Sequence, residues 1–492
     1  MRLLLYPVYN QHVLKADSIY HISEAFARYL AENGWHVHWV VPMREREEDG
    51  NALTWYKTDG TVLDDPSTLP PNVTLRPTRL YTSYRMQEST TPEWVLKEFH
   101  PLWREGTVVD AILTTSSIHG HFLKQAFQET YNRADPIPVI SWDLLLRGGE
   151  GPNEVTSIGE SELILQTLGH TVTHPIFESP IAYEIALENA RKFLKPAYIK
   201  KLLEDRSTVI PLGANFAKID KHTSARKNER FTVYFGGRFT PSKGIDLIAE
   251  VADYLYKRGM PINIEFSTGT NSANRIKLLT DKHSSIRVHT NMTQAKAFEV
   301  MTRCHAFICA SSHELFGGAF WEQMYAGLIG IFKKAKWNEG LLPPDYPLLF
   351  DTPIEAYTLL KDVYENYEQW KERLAWVPKW VEENYDYRFT FARMAEYIRG
   401  VIQHNLETKT NDEGALFQAV IEEARKLPDG FTLPELEQHL KASKAVSAGG
   451  IQGDGNPARI RSHISRNKLH RMLLLGGMVD DVTSPNPRYR KS

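Results

Sequence analysis

Two acidic residues on either side of a glycine turn are the strongest chemical signal in this chain. Glu314 and Glu322 come directly after an apolar run at 306–310. The turn between them contains Phe316, Gly317 and Gly318. The apolar run predicts a strand, and the residues after the glycines predict a helix. Because the first amides of a helix are free to bind anions and hydroxyls, the pattern indicates an oxygen-rich ligand. A capped helix with two surface acids is the alternative.

A second glycine turn upstream carries two cations. Gly236 and Gly237 follow an apolar run at 231–235, and Arg238 and Lys243 come next. An arginine can form two parallel hydrogen bonds to a phosphate, whereas a lysine acts as a point charge. The pair therefore predicts a diphosphate site at the end of this strand. A solvated loop would explain such a pair alone, but the acidic turn downstream argues against it.

Together the two turns resemble those of the retaining glycosyltransferases of GT-B architecture, the family-four type with glutamates eight positions apart (Glu-x7-Glu). The run Val209–Gly213 also resembles that family's hydrophobic-Pro-x-Gly junction between domains. The resemblance extends over roughly residues 1–405 and implies an α/β fold with two Rossmann-like domains. It implies a nucleotide diphosphate-sugar as co-substrate and no separate cofactor.

The same resemblance implies a role for each residue of the two turns. Arg238 and Lys243 would hold the diphosphate, and Glu322 would bind the ribose. Glu314, with the amides after Phe316, would hold the donor sugar. The four glycines that complete the expected donor site are Gly236, Gly237, Gly317 and Gly318.

Two histidines at the end of an earlier strand are further candidates. His119 and His121 follow the apolar run at 108–113, at the edge where open α/β sheets place ligands. They could ligate zinc, but the sequence offers no third ligand at a useful spacing. In the resembled family a histidine at such a place faces the donor sugar, which favours His119. A structural role is the alternative for both.

The expected chemistry uses cations and amides rather than a metal. No strand-terminal Asp-x-Asp motif occurs in the sequence, so Arg238 and Lys243 would stabilise the departing diphosphate. The resemblance implies attack from the same face with retention of configuration, and the leaving phosphate itself would act as base. The expected catalytic set is Arg238, Lys243, Glu314 and His119.

The composition is that of a globular enzyme. The chain has 492 residues, 42% hydrophobic and 24% charged, with a net charge of −2. No apolar run approaches the roughly 20 residues of a membrane span, and the first residues are too short an apolar run for a signal peptide. Cys304 and Cys309 are the only cysteines, which favours a reducing cytoplasm, or the host cytoplasm if the protein is viral.

Alternating strand and helix patterns predict parallel sheets covered on both faces. We expect an acceptor domain at 1–213 and a nucleotide-sugar domain at 214–385. A terminal helix at 386–407 would cross back to the first domain, and a separate unit would occupy 408–492.

The last unit resembles a winged-helix domain. Helix-like segments at 414–427, 432–440 and 456–475 precede a predicted hairpin at 476–491. Residues 456–492 contain eight lysines and arginines but only two acids, a net charge of +6. The basic residues expected to contact nucleic acid are Arg459, Arg466, Lys468, Arg471, Arg488 and Arg490. A winged helix that binds protein, or is purely structural, is the alternative.

Three functions are therefore open. The first is a transferase that moves a sugar to a hydroxylated base in double-stranded DNA, as some viral enzymes do. The second acts on a small molecule or glycan and uses its tail to bind a partner protein. The third, a nucleic-acid binder on an inactive enzyme scaffold, is disfavoured by the intact set of cations and acids.

Overall fold

The fold is known from a computed structural model of the chain. It describes residues 1–8, 18–42, 69–78, 109–130, 137–144, 146, 160–223, 226–237, 241–268, 283–290, 292–410, 420–442, 469–470, 473, 478–480 and 488–491. These residues form two parallel sheets and one small antiparallel sheet.

The first sheet has seven parallel strands, and their order reverses between β1 and β4. The strands are β1 (Arg2–Tyr6), β2 (His36–Pro42), β3 (Val73–Thr78), β4 (Ala111–Thr114), β5 (Val139–Asp143), β6 (His174–Phe177) and β7 (Thr208–Val209). Their spatial order is β3-β2-β1-β4-β5-β6-β7. Strands β1, β4 and β5 are buried throughout, as expected for parallel strands covered on both faces. The accompanying helices are α1 (Ser18–Glu32), α2 (Ser117–Thr130), α3 (Glu160–Val172), α4 (Pro180–Phe193) and α5 (Pro196–Leu202).

The second sheet repeats this winding with six parallel strands. They are β8 (Thr232–Gly236), β9 (Asn263–Thr268), β10 (Ile286–Thr290), β11 (Ala306–Cys309), β12 (Ile329–Lys333) and β13 (Leu349–Phe350), in the order β10-β9-β8-β11-β12-β13. Its helices are α6 (Phe216–Asp220), α7 (Ile245–Lys257), α8 (Gln294–Thr302), α9 (Gly318–Tyr325), α10 (Pro353–Glu365), α11 (Tyr367–Arg373) and α12 (Val377–Tyr385). The predicted α/β fold with two Rossmann-like domains is thereby confirmed.

A long helix returns from the second sheet to the first. Helix α13 (Tyr387–Thr410) follows α12 after a single extended residue, Asp386. Phe391, Met394 and Ile398 of α13 are buried in the apolar core of the first sheet. At the junction Gly213 has a φ of +78°, and a β-carbon there would lie 2.6 Å from Oγ1 of Thr390. Glycine at this position therefore lets the junction pack directly against α13.

A small unit at the carboxyl end has its own core. It contains a helical segment at 420–424, strand β14 (Phe431–Thr432), helix α14 (Leu433–Ala442), and strands β15 (Met478–Asp480) and β16 (Arg488–Lys491). Strand β16 pairs antiparallel with both β14 and β15, so the predicted hairpin pairing is present. The expected helix at 456–475 lies almost entirely outside the described residues, and the winged-helix assignment stays a prediction.

This C-terminal unit contacts the first sheet at the amino end of β4. His470 Nε2 lies 2.8 Å from Oδ1 of Asp110, and both side chains are fully buried. The other carboxylate oxygen of Asp110 accepts a hydrogen bond from the Arg2 amide at 2.7 Å. The contact is therefore at the edge opposite the carboxyl ends of the strands. Among the helices described, none combines the length and apolar character required to cross a bilayer.

Candidate active site

The loop after β11 contacts the carboxyl end of β6, and we call the region between the carboxyl edges of the two sheets the cleft. Leu315, in the loop after β11, packs against the apolar cluster that contains Phe177 at the end of β6. On the surface, Lys336 of the second domain lies 2.8 Å from Glu184 on α4. Ligands of open α/β sheets bind where the strand order reverses. The reversals at β1/β4 and β8/β11 therefore mark the place to search for a site.

The two predicted turns meet at the reversal of the second sheet. Lys243 Nζ lies 2.6 Å from Oε1 of Glu314, and the two side chains are only 18% and 13% exposed. Lys243 ends a short 3-10 turn after β8, and Glu314 follows β11. The structure therefore joins the cationic turn and the acidic turn in one partly buried ion pair.

A glycine allows this close approach. Gly244 has a φ of +73°, and a β-carbon there would lie 2.3 Å from the carbonyl oxygen of Ala310. The Ser312 amide also donates a hydrogen bond to the carbonyl of Ser242 at 3.1 Å. Any side chain at position 244 would push the two loops apart, and Lys243 would lose its position beside Glu314.

The glycine turn after Glu314 begins helix α9. Gly317 occupies the N-cap with a φ of +77° and offers no side chain to the first amides of the helix. Phe316 is buried, and its carbonyl accepts a hydrogen bond from the Trp321 indole at 2.9 Å. The indole of Trp321 thus holds the turn, and the N-cap residue Gly317 itself makes no side-chain hydrogen bond to the helix amides that were expected to meet the donor sugar.

Glu322 lies one turn inside α9 and is half-buried. Burial raises the pKa of its carboxyl to about 7, and the charge of Lys218 partly offsets this increase. Tyr234 of β8 and Tyr387 of α13 both lie within range of its charge. The carboxylate of Glu322 can accept hydrogen bonds from ligand hydroxyl groups, and Lys218 lies within range of its charge.

The two histidines lie on α2, the helix that follows β4 of the first sheet. His119 is in the first turn of α2, is 7% exposed, and has its ring 6.5 Å from that of Tyr6 at the end of β1. The two residues thus flank the reversal of the first sheet. His121, two residues further along α2, is half-buried, and burial and the charge of Lys124 lower its pKa.

The structure describes only part of the predicted site. Gly236 ends β8 and Gly237 follows it, whereas Arg238 lies outside the described residues. Of the residues expected to contact nucleic acid, Arg488 and Arg490 are exposed on β16. The others, Arg459, Arg466, Lys468 and Arg471, lie outside the described residues.

A buried pair that the sequence analysis missed, Asp143 and His170, holds the start of α2, the helix that carries His119. Asp143, at the end of β5, accepts a hydrogen bond from the Ser117 amide at 2.7 Å, and its second oxygen contacts His170 Nε2. A β-carbon on Gly169 would lie 2.1 Å from the Ser117 carbonyl, so α3 packs directly against the start of α2. The position of Asp143 at the end of a predicted strand could have been recognised from the sequence. Its partner His170 could not, because it lies on a separate helix.

A second missed residue, Glu178, follows β6 directly. It is 5% exposed, and the charges of Glu314 and Asp143 both act on it. Burial, followed by these two charges, raises the pKa of its carboxyl to about 8. Glu178 therefore places an acid of the first domain beside the donor turn of the second.

Comparison with known sequences finds a family match within the second domain. Residues 217–374 match the family model described as Glycosyl transferases group 1. The matched range includes Lys243, Glu314 and Glu322. A search of curated proteins finds no match to the chain.

Solved structures share the whole two-domain arrangement. Sucrose-phosphate synthase from Thermosynechococcus elongatus has a TM-score of 0.60 at 14% identity, over 82% of this chain and 100% of that one. The catalytic domain of starch synthase IV from Arabidopsis thaliana, bound to ADP and acarbose, has a TM-score of 0.58 at 12% identity, over 82% and 99%. HepE from Anabaena in complex with UDP has a TM-score of 0.56 at 11% identity, over 81% and 100%. At these identities the likeness shows the fold, which is GT-B.

Proposed function

We propose that this protein is a retaining glycosyltransferase that moves a sugar from a nucleotide diphosphate-sugar to a hydroxyl acceptor. The observation that carries the proposal is the Lys243–Glu314 pair at 2.6 Å, at the strand reversal of the domain that matches glycosyl transferases group 1. Catalytic cations and sugar-binding acids must lie together in such an enzyme, because the bond that breaks joins the sugar to the diphosphate.

The ion pair suggests how the site receives its donor. Without donor, Lys243 and Glu314 neutralise each other. With donor bound, Lys243 and Arg238 would turn to the diphosphate, and Glu314 would accept hydroxyls of the sugar. The amides of Gly317 and Gly318 would face the same sugar, Glu322 would bind the ribose, and His119 would contact the sugar from the first domain.

The proposed reaction is a front-face substitution. The bond between the anomeric carbon and the phosphate oxygen breaks, and its electron pair leaves with the diphosphate. The acceptor oxygen forms the new bond on the same face, and its proton passes to the departing phosphate oxygen. Lys243 and Arg238 stabilise the developing negative charge. We assign this role to cations because no Asp-x-Asp motif ends a strand in the sequence.

Calorimetric titration with UDP-sugars and ADP-sugars tests the proposal directly. We expect one of these donors to bind, and we expect Arg238→Ala and Glu322→Ala to weaken that binding. NMR of the product should show the anomeric configuration of the donor. Unchanged binding in both variants, or an inverted product, would refute the assignment.

For the acceptor we propose a hydroxylated pyrimidine in double-stranded DNA. Arg488 and Arg490 support this choice, because they are exposed on β16 and, being two residues apart, share one face of the strand. The C-terminal unit contacts the amino end of β4, so DNA would have to pass along the first domain to reach the cleft. The base would then have to leave the duplex stack. A cytoplasmic location fits such a substrate.

The position of the C-terminal unit also favours a second candidate, an enzyme for a small molecule or glycan whose tail binds a protein. Sugar transfer to duplex DNA with and without hydroxymethylated pyrimidines separates the two. Under the DNA proposal, Arg488→Ser with Arg490→Ser weakens DNA binding and flattens its salt dependence. Arg425→Ser, an exposed arginine of the same unit, is the control. Failure of the parent to transfer sugar to either duplex would favour the second candidate.

A further inference from the structure

Glu178 lies at the carboxyl edge of the first sheet, within range of the charge of Glu314 on the donor turn. It follows β6 at the carboxyl edge of the first sheet, next to the buried ring of Phe177. Leu315, which follows Glu314, packs against the cluster that contains Phe177. The carboxyl of Glu178 is therefore held between the wall of the first domain and the loop of the donor turn.

Three acids meet at this point, and two of them have cationic or imidazole partners. Asp143 contacts His170, and Glu314 is paired with Lys243. Within the part of the chain that the structure describes, Glu178 has no hydrogen bond or ion pair. An acid that is 5% exposed and unpaired beside two other acids is unfavourable as a carboxylate.

The groups near Glu178 either raise its pKa or already have another partner. Glu314 faces it from the donor loop and Asp143 from β5, and both raise its pKa. His170 on α3 is occupied by Asp143, and the ring of Tyr183 on α4 packs against Phe177. Burial is the largest cause, and with these charges it raises the pKa of Glu178 to about 8, which favours the neutral acid at pH 7.

We infer that Glu178 is an acceptor-positioning residue, in which a neutral carboxylic acid holds the acceptor hydroxyl against the anomeric carbon. This inference rests on the proposed function. A neutral carboxyl can donate one hydrogen bond and accept another, so it can engage the oxygen of an alcohol without competing for its proton. The donor diphosphate would bind to Lys243, which leaves Glu178 for the hydroxyl group of the acceptor.

The test follows acceptor transfer and donor hydrolysis from about pH 6 to about pH 9.5. In the parent, kcat/KM for the acceptor should fall about tenfold per pH unit above about 8, because the neutral form is lost. Glu178→Gln keeps a neutral donor and acceptor and should remove this decline. Glu178→Leu should reduce acceptor kcat/KM about tenfold or more at pH 7, since it removes both hydrogen bonds. Glu188→Gln, an exposed acid on α4, is the matched control.

Donor hydrolysis separates positioning from structural support. If Glu178 positions the acceptor, hydrolysis of the donor by water keeps the same pH profile in the parent and in Glu178→Gln. An alkaline decline of hydrolysis together with transfer would show that ionisation merely loosens the cleft, and the inference would be wrong. Transfer that rises with pH would also overturn it, because Glu178 would then act as a base.

Failure of this inference is distinguishable from failure of the proposed function. If the chain is not a sugar transferase, neither donor binding nor hydrolysis will depend on Lys243 or Glu322. If only the role of Glu178 is wrong, those dependences persist while the Glu178 variants match the parent in acceptor kcat/KM and pH profile.

Discussion

His470 and Asp110 form an ion pair at 2.8 Å with no exposed surface on either side chain. The pair joins the C-terminal unit to the first residue before β4. His470 also contacts the hydroxyl of Tyr489, so the imidazole is held by its own unit while it meets the first domain. The contact therefore couples the stability of the two parts.

Replacing one residue of this pair should lower the unfolding free energy more than replacing both. His470→Gln leaves a buried carboxylate uncompensated, and we expect a loss of about 3–5 kcal/mol in unfolding free energy. The double variant Asp110→Asn with His470→Gln should lose less than the two single variants combined. Urea unfolding of all four proteins measures the coupling energy. A coupling near zero would mean that the pair does not hold the units together.

The same pair should make the protein sensitive to acid. Burial opposes ionisation of Asp110, but the charge of His470 prevails and holds the pKa of Asp110 well below its usual range. A depressed carboxyl pKa contributes stability above the usual pKa, and this contribution is lost as the pH falls below about 4. Thermal unfolding from neutral to acid pH should therefore show a smaller acid loss in Asp110→Asn than in the parent. Equal losses would contradict the prediction.

Removal of Lys243 should weaken donor binding without unfolding the protein. In Lys243→Ala the diphosphate loses a cation in a partly buried site, and we expect affinity for the nucleotide-sugar to fall about tenfold to a hundredfold. Calorimetry of the parent and the variant measures the loss. Lys257→Ala, an exposed lysine at the end of α7, should bind as the parent does. A variant at 243 that binds equally well would remove this lysine from the donor site.

A comparison of two glycines with left-handed backbone conformations can distinguish the cost of backbone strain from the cost of a steric clash. Gly244 and Gly259 have φ values of +73° and +63°, but only Gly244 has neighbours within 4 Å of an added β-carbon. Gly259→Ala should cost only about 1–2 kcal/mol, the strain of the left-handed backbone. Gly244→Ala should cost more and should also weaken donor binding, because the loops carrying Lys243 and Glu314 must separate. Chemical unfolding and calorimetry on both variants decide the matter, and equal costs would refute it.

Donor affinity should fall as Glu322 becomes protonated. Burial raises the pKa of its carboxyl to about 7, and we expect the ionised form to bind the ribose hydroxyls. Affinity for the donor should therefore decrease below pH 7 and level off above it. Calorimetry across this range measures the change, and Glu322→Gln should remove the dependence. An affinity that increases toward acid pH would show that the neutral acid is the binding form.

Local sequence patterns were sufficient for the fold and for one wall of the site. The apolar run before Gly236 and the run before Ser311 are strands, and a glycine turn follows each of them along the chain. Because parallel strands end at the same edge, Lys243 and Glu314 could be placed in one region from the sequence. Their direct contact depends on the missing side chain of Gly244, which the pattern alone did not reveal.

The sequence by itself determined the alternating elements, the two glycine turns and the residue types that could hold a diphosphate and a sugar. These features depend on backbone geometry and periodicity, which short segments specify. Only the tertiary structure decided that Glu178 lies beside Glu314 and Asp143, and that His470 meets Asp110. The pKa of a buried acid depends on distances and on the exclusion of water, and both arise only when segments remote in the chain pack together.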